Sequence, residues 1–337
     1  MSLTIERPAA PNGRRSRVYG ERNARTIEIG LVNNMPDAAV AATQRQFVRL
    51  IEDASVDLDV RLSLFALDSL PRDEAARRAM AEEYAPARTL EGARLDALVV
   101  TGAEPRAADL RDETYWDELG FVLDWAAENT ISSLFSCLAA HAAVLRSDGV
   151  KRRPLANKRS GVFSVDVVAD HALVAGLEPR YLVPHSRWND LDEAKLAERG
   201  YRILSRSPQS GADLFIRKTR SLLVYLQGHP EYEADSLARE HRRDLTRFLR
   251  GEQATPPNPP FNYYPPETAA LIANFARRAM AAPEAALAAG FPVAALALRD
   301  EPWRLAALQL VNNWLGMVAR RKAARSAATF AVARWGG

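Results

Sequence analysis

The first half of the chain alternates short apolar segments with longer amphipathic ones. Apolar runs at residues 26–32, 95–101 and 131–135 are bounded by turn residues, a pattern that predicts buried strands. The segments 38–53 and 113–129 instead repeat apolar residues on one helical face. This repetition predicts an α/β fold with a doubly wound, mostly parallel sheet. In such sheets the functional site lies beyond the carboxyl ends of the strands.

The pattern changes in the middle of the chain. Between residues 151 and 218, alternating segments lie close to turn residues, which predicts antiparallel additions to the sheet. A proline-rich linker at 255–266 then leads into a helical C-terminal region. We therefore expect three parts: a disordered lead-in at residues 1–24, an α/β domain that carries the functional site at 25–265, and a helical extension packed on the core at 266–337.

The single cysteine of the chain, Cys137, lies between a predicted strand and a predicted helix. The apolar run ends at Phe135, and an alanine-rich helical segment begins at Leu138. A side chain on such a sharp turn projects above the sheet, where the first N–H groups of the helix favour a thiolate and an oxyanion alike. The alternative is a buried structural thiol, the commoner fate of a lone cysteine in an apolar context. This stretch alone leaves the two readings balanced.

His229 and Glu231 complete a possible cysteine acyl-transfer site. His229 follows the predicted buried strand 221–226, so it lies on the same sheet edge as Cys137. Glu231 is two residues further on and faces the same side in extended backbone. A nucleophile, a base and a group that orients the base are what such chemistry requires. A zinc site is the rival reading, but no thiolate pair or second spaced histidine accompanies these residues, so no metal is expected.

The other histidines fit this site less well. His141 is one helical turn beyond the cysteine and projects away from the site, so we predict a packing or surface role. His171 lies in a polar turn and His241 on a charged helix, and we expect both to be solvated.

Composition excludes several classes of protein. The chain has 337 residues, of which 47% are hydrophobic and 26% charged, with a mild net charge of +3. No basic stripe interleaved with aromatic residues occurs, so we expect no nucleic-acid partner. The alanine-rich stretch at 279–298 is interrupted by prolines and a glycine, so it is not expected to span a membrane. One cysteine allows no intramolecular disulfide and fits a reducing cytoplasm.

The predicted last helix, residues 303–319, carries an apolar face. Its members are Leu305, Leu308, Val311 and Leu315. The face fits either a homodimer interface or packing against the core of the same chain.

A set of short motifs occurs in a fixed order along the chain. They are Asn34-Met35-Pro36, Val100-Thr101-Gly102-Ala103, Tyr115-Trp116, Lys158-x-Ser160-Gly161, Pro184-His185-Ser186-Arg187, Gly228-His229-Pro230-Glu231-Tyr232, Asn262-Tyr263-Tyr264-Pro265 and Asn313-Trp314-Leu315. With the turn at Cys137, this set resembles the homoserine O-succinyltransferase and homoserine O-acetyltransferase family. That family belongs to the class I glutamine amidotransferase-like superfamily, and the resemblance implies a flavodoxin-like α/β fold. It spans roughly residues 26 to 317.

The resemblance implies a reaction. Cys137 would take an acyl group from acyl-CoA as a thioester, with His229 as base and Glu231 orienting it. The hydroxyl of homoserine would then accept the acyl group, in methionine biosynthesis. Acyl-CoA would be a co-substrate, and no bound cofactor is implied. The partners would be these small molecules alone.

The resemblance also implies which groups contact the substrates. The Leu138 N–H and a second N–H near Gly102 or Ala103 would hold the oxyanion. The remaining matches place substrate contacts on Lys158, Ser186 and Arg243.

Three positions depart from the family pattern. Asp37 replaces a basic residue, and Glu104 replaces the proline of Thr-Gly-Ala-Pro. Arg106 occupies the position that separates acetyl from succinyl donors in the family. A cation there would pair with the distal carboxylate of a succinyl group, although it would equally fit a CoA phosphate or solvent. The departures leave two alternatives open: a cysteine acyltransferase for another hydroxy amino acid such as serine, and a glutaminase-type cysteine hydrolase.

Overall fold

The computed structural model describes residues 3–6, 26–284 and 290–335. The strands are β1 (Leu3–Glu6), β2 (Thr26–Val32), β3 (Asp59–Ala66), β4 (Ala85–Pro86), β5 (Ala97–Val100), β6 (Ser132–Ser136), β7 (Arg153–Val167), β8 (Arg180–Asp190), β9 (Arg202–Ser207), β10 (Gly211–Lys218) and β11 (Leu222–Leu226). They form one sheet in the order β1-β3-β2-β5-β6-β11-β10-β9-β7-β8, with β4 paired to β3 outside this path.

Helices connect the strands and cover both faces of the sheet. They are α1 (Asp37–Ala54), α2 (Glu74–Glu83), α3 (Trp116–Asn129), α4 (Leu138–Asp148), α5 (Glu193–Glu198), α6 (Ser236–Leu249), α7 (Pro266–Ala281) and α8 (Arg304–Trp335). The ends of α1 and α3 lie within three residues of the predicted 38–53 and 113–129, whereas the last helix continues well beyond the predicted residue 319.

The half of the sheet from β1 to β11 is parallel throughout. Every residue of its central strands β5, β6 and β11 is buried, as expected for strands covered on both faces. The predicted doubly wound, mostly parallel sheet is therefore confirmed.

The other half of the sheet is antiparallel, as predicted. β10 pairs with β11 and β9, and β7 pairs with β9 and β8. The edge strand β8 is absent from the sequence-based prediction, because Pro184 in its middle argues against a strand. The Pro184 carbonyl nevertheless has a partner, since it accepts a hydrogen bond from the His229 N–H at 2.8 Å.

The N-terminal residues depart from the expected disordered lead-in. Leu3–Glu6 form β1, which pairs in parallel with β3. The rest of the predicted lead-in lies outside the described residues.

Helix α8 packs its apolar face on the core of the same chain. Val311, Trp314 and Leu315 are buried in the cluster that lines one face of the parallel strands. The Trp314 indole N–H also donates to the Ser132 hydroxyl of β6 at 2.9 Å. Leu305, at the start of the helix, is 82% exposed. Most of the predicted face is therefore used inside the chain, and a homodimer stays a prediction.

The carboxyl ends of β5, β6 and β11 meet at one edge of the sheet. Val100 pairs with Phe135, and Leu226 pairs with Ser136, so the residues that follow these strands are neighbours. None of the described helices combines the length and the apolar character needed to cross a lipid bilayer.

Candidate active site

Cys137 occupies a strained turn between β6 and α4. Its backbone has φ 51° and ψ −110°, a region that residues with a side chain rarely adopt. The Cys137 N–H donates to the Leu226 carbonyl of β11 at 2.7 Å, which holds the turn in place. The described part of the chain has one other non-glycine residue with positive φ, Asn262. Because such strain concentrates at functional sites, the turn favours a nucleophile over a structural thiol.

His229 and Glu231 form a buried pair next to this turn. His229 Nδ1 lies 2.8 Å from Glu231 Oε1, and both side chains are almost fully buried. The second ring nitrogen, Nε2, makes no hydrogen bond of normal geometry and is the one available to the Cys137 sulfur, whose charge interacts with the ring. Burial alone would lower the pKa of His229, but Glu231 and Cys137 outweigh it and raise that pKa well above the ordinary value. These two charges therefore favour the protonated, imidazolium form of His229.

Gly102 lies against the first backbone N–H of α4. A Cβ atom at position 102 would stand 3.2 Å from the Leu138 nitrogen. The preceding Thr101 is braced by Asn34, whose N–H donates to Thr101 Oγ1 at 2.8 Å and whose side-chain amide donates to the Thr101 carbonyl at 3.1 Å. The structure thus brings Leu138, Gly102 and the adjoining Ala103 to the edge where Cys137 lies. Helical geometry leaves the Leu138 N–H without an intrahelical partner.

The three predicted substrate contacts meet at a residue that sequence reasoning missed, Glu240 of α6. Lys158 Nζ lies 2.9 Å from Glu240 Oε2 and 2.6 Å from an Asp244 carboxylate oxygen. The Ser186 hydroxyl donates to Glu240 Oε2, and Arg243 lies 3.8 Å from the same oxygen. Burial alone would raise the pKa of Glu240, but Lys158 and Arg243 lower it to about 2.

This cluster of charges is partly buried and partly open. Lys158 and Glu240 are mostly enclosed, whereas the Arg243 side chain is 39% exposed. Glu240 and Arg243 are three residues apart on α6, so they share one face of the helix. That spacing is the signal in the sequence that would have pointed to Glu240.

Tyr232 connects this cluster to His229. Its ring stacks on the imidazole with centroids 4.2 Å apart, and its hydroxyl donates to Glu240 Oε1. The indole N–H of Trp303 donates to the Tyr232 carbonyl at 2.8 Å. The predicted base and the predicted substrate contacts therefore belong to one continuous site.

Arg106 is not brought into this site. It is exposed, and its backbone N–H donates to the Glu113 carboxylate at 2.5 Å. Glu104, two residues earlier, forms an ion pair with Arg247 of α6 at 2.5 Å. The loop between β5 and α3 is thus tied to α6 by Glu104, and the role predicted for Arg106 gains no support from its position.

Two of the remaining histidines differ from expectation. His241 was expected to be solvated, but it is buried and its Nδ1 lies 3.1 Å from the Tyr264 hydroxyl. This expectation was wrong because Tyr264 of the proline-rich linker and Phe291 beyond it pack against that part of α6. His171 is half-buried and accepts a hydrogen bond from the Leu173 N–H, which caps a short 3-10 helix.

The other two histidines pack behind the site. His141 is buried and bonds to the Gln227 side chain at 2.9 Å, and burial together with Arg187 lowers its pKa to about 4. His185 is fully buried beside Asp213 at 3.3 Å. Within the described ranges, no three His, Cys, Asp or Glu side chains are grouped so as to hold a metal ion.

Comparison with known proteins decides the family. The model of the homoserine O-succinyltransferase family matches residues 14–324. The chain belongs to the homoserine O-succinyltransferase family. It is therefore an acyltransferase.

Curated members of the family are similar over most of their length. The homoserine O-succinyltransferase of Methylorubrum extorquens is 51% identical over 89% of this chain and 89% of its own. The enzyme of Rhodopseudomonas palustris is 49% identical over 87% of this chain and 88% of its own. The enzyme of Bradyrhizobium japonicum is 46% identical over 94% of this chain and 96% of its own.

Solved structures are more distant. A glutamine amidotransferase of Thermotoga maritima aligns with a TM-score of 0.46 and 14% identity over 87% of this chain and 98% of that one. A likeness at that level decides nothing about activity. Assignment to the homoserine O-succinyltransferase family rests on the sequence match.

Proposed function

We propose that this chain transfers a succinyl group from succinyl-CoA to the hydroxyl of L-homoserine, as a step of methionine biosynthesis in the cytoplasm. The family supports the substrates, since the most similar curated relatives compared above are named homoserine O-succinyltransferase. The lone cysteine supports the reducing compartment, where a thiol stays available. The observation that carries the proposal is the link from Cys137 through His229 and Tyr232 to the charged cluster at Glu240.

The first half of the reaction loads the enzyme. The Cys137 thiolate attacks the thioester carbonyl, forming a new carbon–sulfur bond and a tetrahedral oxyanion. The Leu138 N–H and an N–H at Gly102 or Ala103 stabilise that oxyanion. The bond to the CoA sulfur then breaks, and the leaving thiolate takes the proton from His229 Nε2. The product is a succinyl thioester on Cys137 beside a neutral imidazole.

The second half transfers the group. The homoserine hydroxyl attacks the thioester carbonyl while His229 Nε2 takes its proton. The bond to the Cys137 sulfur breaks, which restores the thiolate and the imidazolium together. Glu231 holds the His229 ring through Nδ1 in both halves, so the same nitrogen gives and receives the proton.

The cluster on α6 fits the backbone groups of an amino acid acceptor. Glu240 presents a carboxylate to the ammonium group, and the half-exposed Arg243 presents a guanidinium to the carboxylate. Lys158 and Ser186 hold the Glu240 carboxylate in position. A zwitterionic ligand therefore meets charges of both signs within one site.

A matrix of donors and acceptors tests this proposal. Succinyl-CoA and acetyl-CoA are each offered with homoserine, serine and water, and product formation is followed for wild type and Cys137→Ala. We expect transfer of succinyl to homoserine by wild type and none by the variant. Faster acylation of serine would support the other hydroxy amino acid, and release of free acid with water would support a hydrolase.

Intact mass after incubation with donor alone tests the thioester. We expect a hydroxylamine-sensitive succinyl adduct on wild type and no adduct on Cys137→Ala. Wild type that transfers succinyl yet never carries the adduct would contradict the two-step mechanism.

Variants on α6 test acceptor recognition. Glu240→Gln and Arg243→Gln are expected to raise KM for homoserine about tenfold or more while the rate of adduct formation stays unchanged. Arg242→Gln is the matched control, because Arg242 is exposed and lies about 100° around the helix axis from Arg243. An equal loss of rate in adduct formation and in transfer to homoserine would contradict a role of Glu240 and Arg243 in binding the acceptor.

A further inference from the structure

Tyr115, directly before α3, buries a hydroxyl that has no partner. The side chain is 2% exposed, and its oxygen makes no hydrogen bond to any described residue. Leaving a buried hydroxyl unpaired destabilises a protein. Such an orphaned donor fits a ligand group that accepts its hydrogen bond.

Arg152, just before β7, presents a second orphaned donor at the same place. Its Nη2 donates to the carbonyls of Ala107 and Ala108 at 3.2 and 3.1 Å, whereas its Nε is buried without a partner. Its guanidinium interacts electrostatically with Tyr115 and with Cys137. A positive charge that interacts with Cys137 therefore accompanies two unused donors.

The loop that Arg152 contacts begins at the predicted oxyanion hole. It runs from Gly102 to Ala108, and the Glu113 carboxylate holds it by accepting from the N–H groups of Arg106 and Ala107 at 2.5 and 2.6 Å. An acyl group on Cys137 with its carbonyl oxygen near Gly102 has this loop beside its chain. The half-buried arginine next to the loop is Arg152.

Arg187, the other arginine that interacts with Cys137, is already engaged. Its guanidinium donates to the carbonyls of Asn189 and Ser210 and to the Asp190 carboxylate at 2.9 Å. Of these two arginines, Arg152 is therefore the one with a buried N–H left for a ligand.

We propose that the Arg152 Nε–H and the Tyr115 O–H bind the distal carboxylate of the succinyl group and thereby select succinyl over acetyl donors. This inference rests on the proposed function. Two methylene groups separate the thioester carbonyl from that carboxylate, so the acyl chain carries an anion a short distance from the sulfur. A carboxylate accepts two hydrogen bonds and pairs its negative charge with the guanidinium. An acetyl group has no distal carboxylate, so it neither accepts these hydrogen bonds nor carries a negative charge.

Donor selectivity of three variants tests the site. Tyr115→Phe and Arg152→Gln are compared with the neighbouring exposed Arg153→Gln, and kcat/KM is measured with succinyl-CoA and acetyl-CoA at saturating homoserine. We expect kcat/KM for succinyl-CoA to fall about tenfold in Tyr115→Phe and about a hundredfold in Arg152→Gln. The acetyl-CoA value stays within about twofold of wild type, and Arg153→Gln changes neither.

Several results would overturn this assignment. Equal losses with both donors would show that Arg152 only supports the loop carbonyls, and Tyr115→Phe, which keeps the buried ring, guards against a folding defect. The ratio of kcat/KM for succinyl-CoA to that for acetyl-CoA is also measured in Arg106→Gln. If this ratio changes in Arg106→Gln but not in Tyr115→Phe or Arg152→Gln, donor selectivity belongs to Arg106 instead. Wild type that forms no adduct from either donor contradicts the proposed function itself. That failure differs from a failed selectivity site, in which wild type is active and the donor ratio is unmoved.

Discussion

The ring of Tyr232 stacks on the imidazole of His229, with centroids 4.2 Å apart and planes 17° apart. The Tyr232 hydroxyl donates to Glu240, around which Lys158 and Ser186 are held. One side chain thus touches both the proposed general base and the charged cluster proposed to bind the acceptor. We therefore expect a ligand bound in the cluster to affect the orientation of the imidazole.

Tyr232→Phe is expected to separate the two half-reactions. It keeps the stacked ring but removes the hydrogen bond to the Glu240 carboxylate, which is worth about 1.5–3 kcal/mol when one partner is charged. Adduct formation on Cys137 should stay close to wild type, while transfer to homoserine falls about tenfold or more. Single-turnover kinetics with and without homoserine measure the two rates.

Tyr181→Phe is the control for that experiment. It also removes a buried tyrosine hydroxyl. That hydroxyl donates to the Ser205 hydroxyl at 2.8 Å and does not contact the cluster around Glu240. A similar loss of transfer in both variants would mean that Tyr232 acts only through general stability.

Cys137→Gly is expected to be more stable than Cys137→Ala by about 1 kcal/mol. Both variants lack the thiol, but glycine tolerates φ 51° and ψ −110°, whereas alanine retains the Cβ atom that makes this conformation unfavourable. Chemical denaturation of the two inactive variants measures the difference. Equal stabilities would show that the turn stores no strain.

Glu231→Gln is expected to lower the pKa of His229. Burial lowers that pKa, and the Glu231 and Cys137 charges raise it above its ordinary value, so loss of the Glu231 charge leaves burial less opposed. Histidine nitrogen shifts measured by NMR against pH report the change directly. Deprotonation of His229 at the same pH in both proteins would contradict a Glu231 effect.

We also expect Glu231→Gln to change how the stability of the protein depends on pH. Because the folded-state pKa of His229 lies above the unfolded value of about 6.5, its contribution is complete below that pH and is lost as pH rises through the folded-state pKa. The free energy of unfolding of wild type should therefore exceed that of Glu231→Gln by more at about pH 6 than at about pH 9. Urea unfolding at both pH values measures the two differences.

Gly102→Ala is expected to lower kcat about a hundredfold, the usual result of losing one oxyanion donor. The new Cβ atom would stand 3.2 Å from the Leu138 nitrogen and crowd the space in which the oxyanion forms. Gly92→Ala is the control, because a Cβ atom there meets nothing within 4 Å. Full activity of Gly102→Ala would place the oxyanion elsewhere.

Local sequence patterns were sufficient for much of this site. The strand, Cys137 and helix follow one another directly, and His229 and Glu231 are two residues apart along the chain. The predicted extended backbone between these two residues was wrong, because they lie in a turn in which the Tyr232 N–H donates to the His229 carbonyl at 3.2 Å. The period of the hydrophobic residues and the closeness of the site residues along the chain involve only a few consecutive residues. Both can therefore be read from the sequence without knowledge of the fold. The exposed position of Arg106 was not visible in this way, because only the path of its loop determines where the side chain points.

By itself the sequence determined the parallel α/β core, the turn at Cys137 and the family, because strand and helix periodicity and ordered motifs are local properties of the chain. Only the tertiary structure decided that Glu240 gathers Lys158 and Ser186, which lie 82 and 54 residues away along the chain. It also decided that Arg152 lies within electrostatic reach of both Tyr115 and Cys137. The pairing of long polar side chains depends on which distant strands and helices pack together, and burial then removes the water that would otherwise compete for their hydrogen bonds.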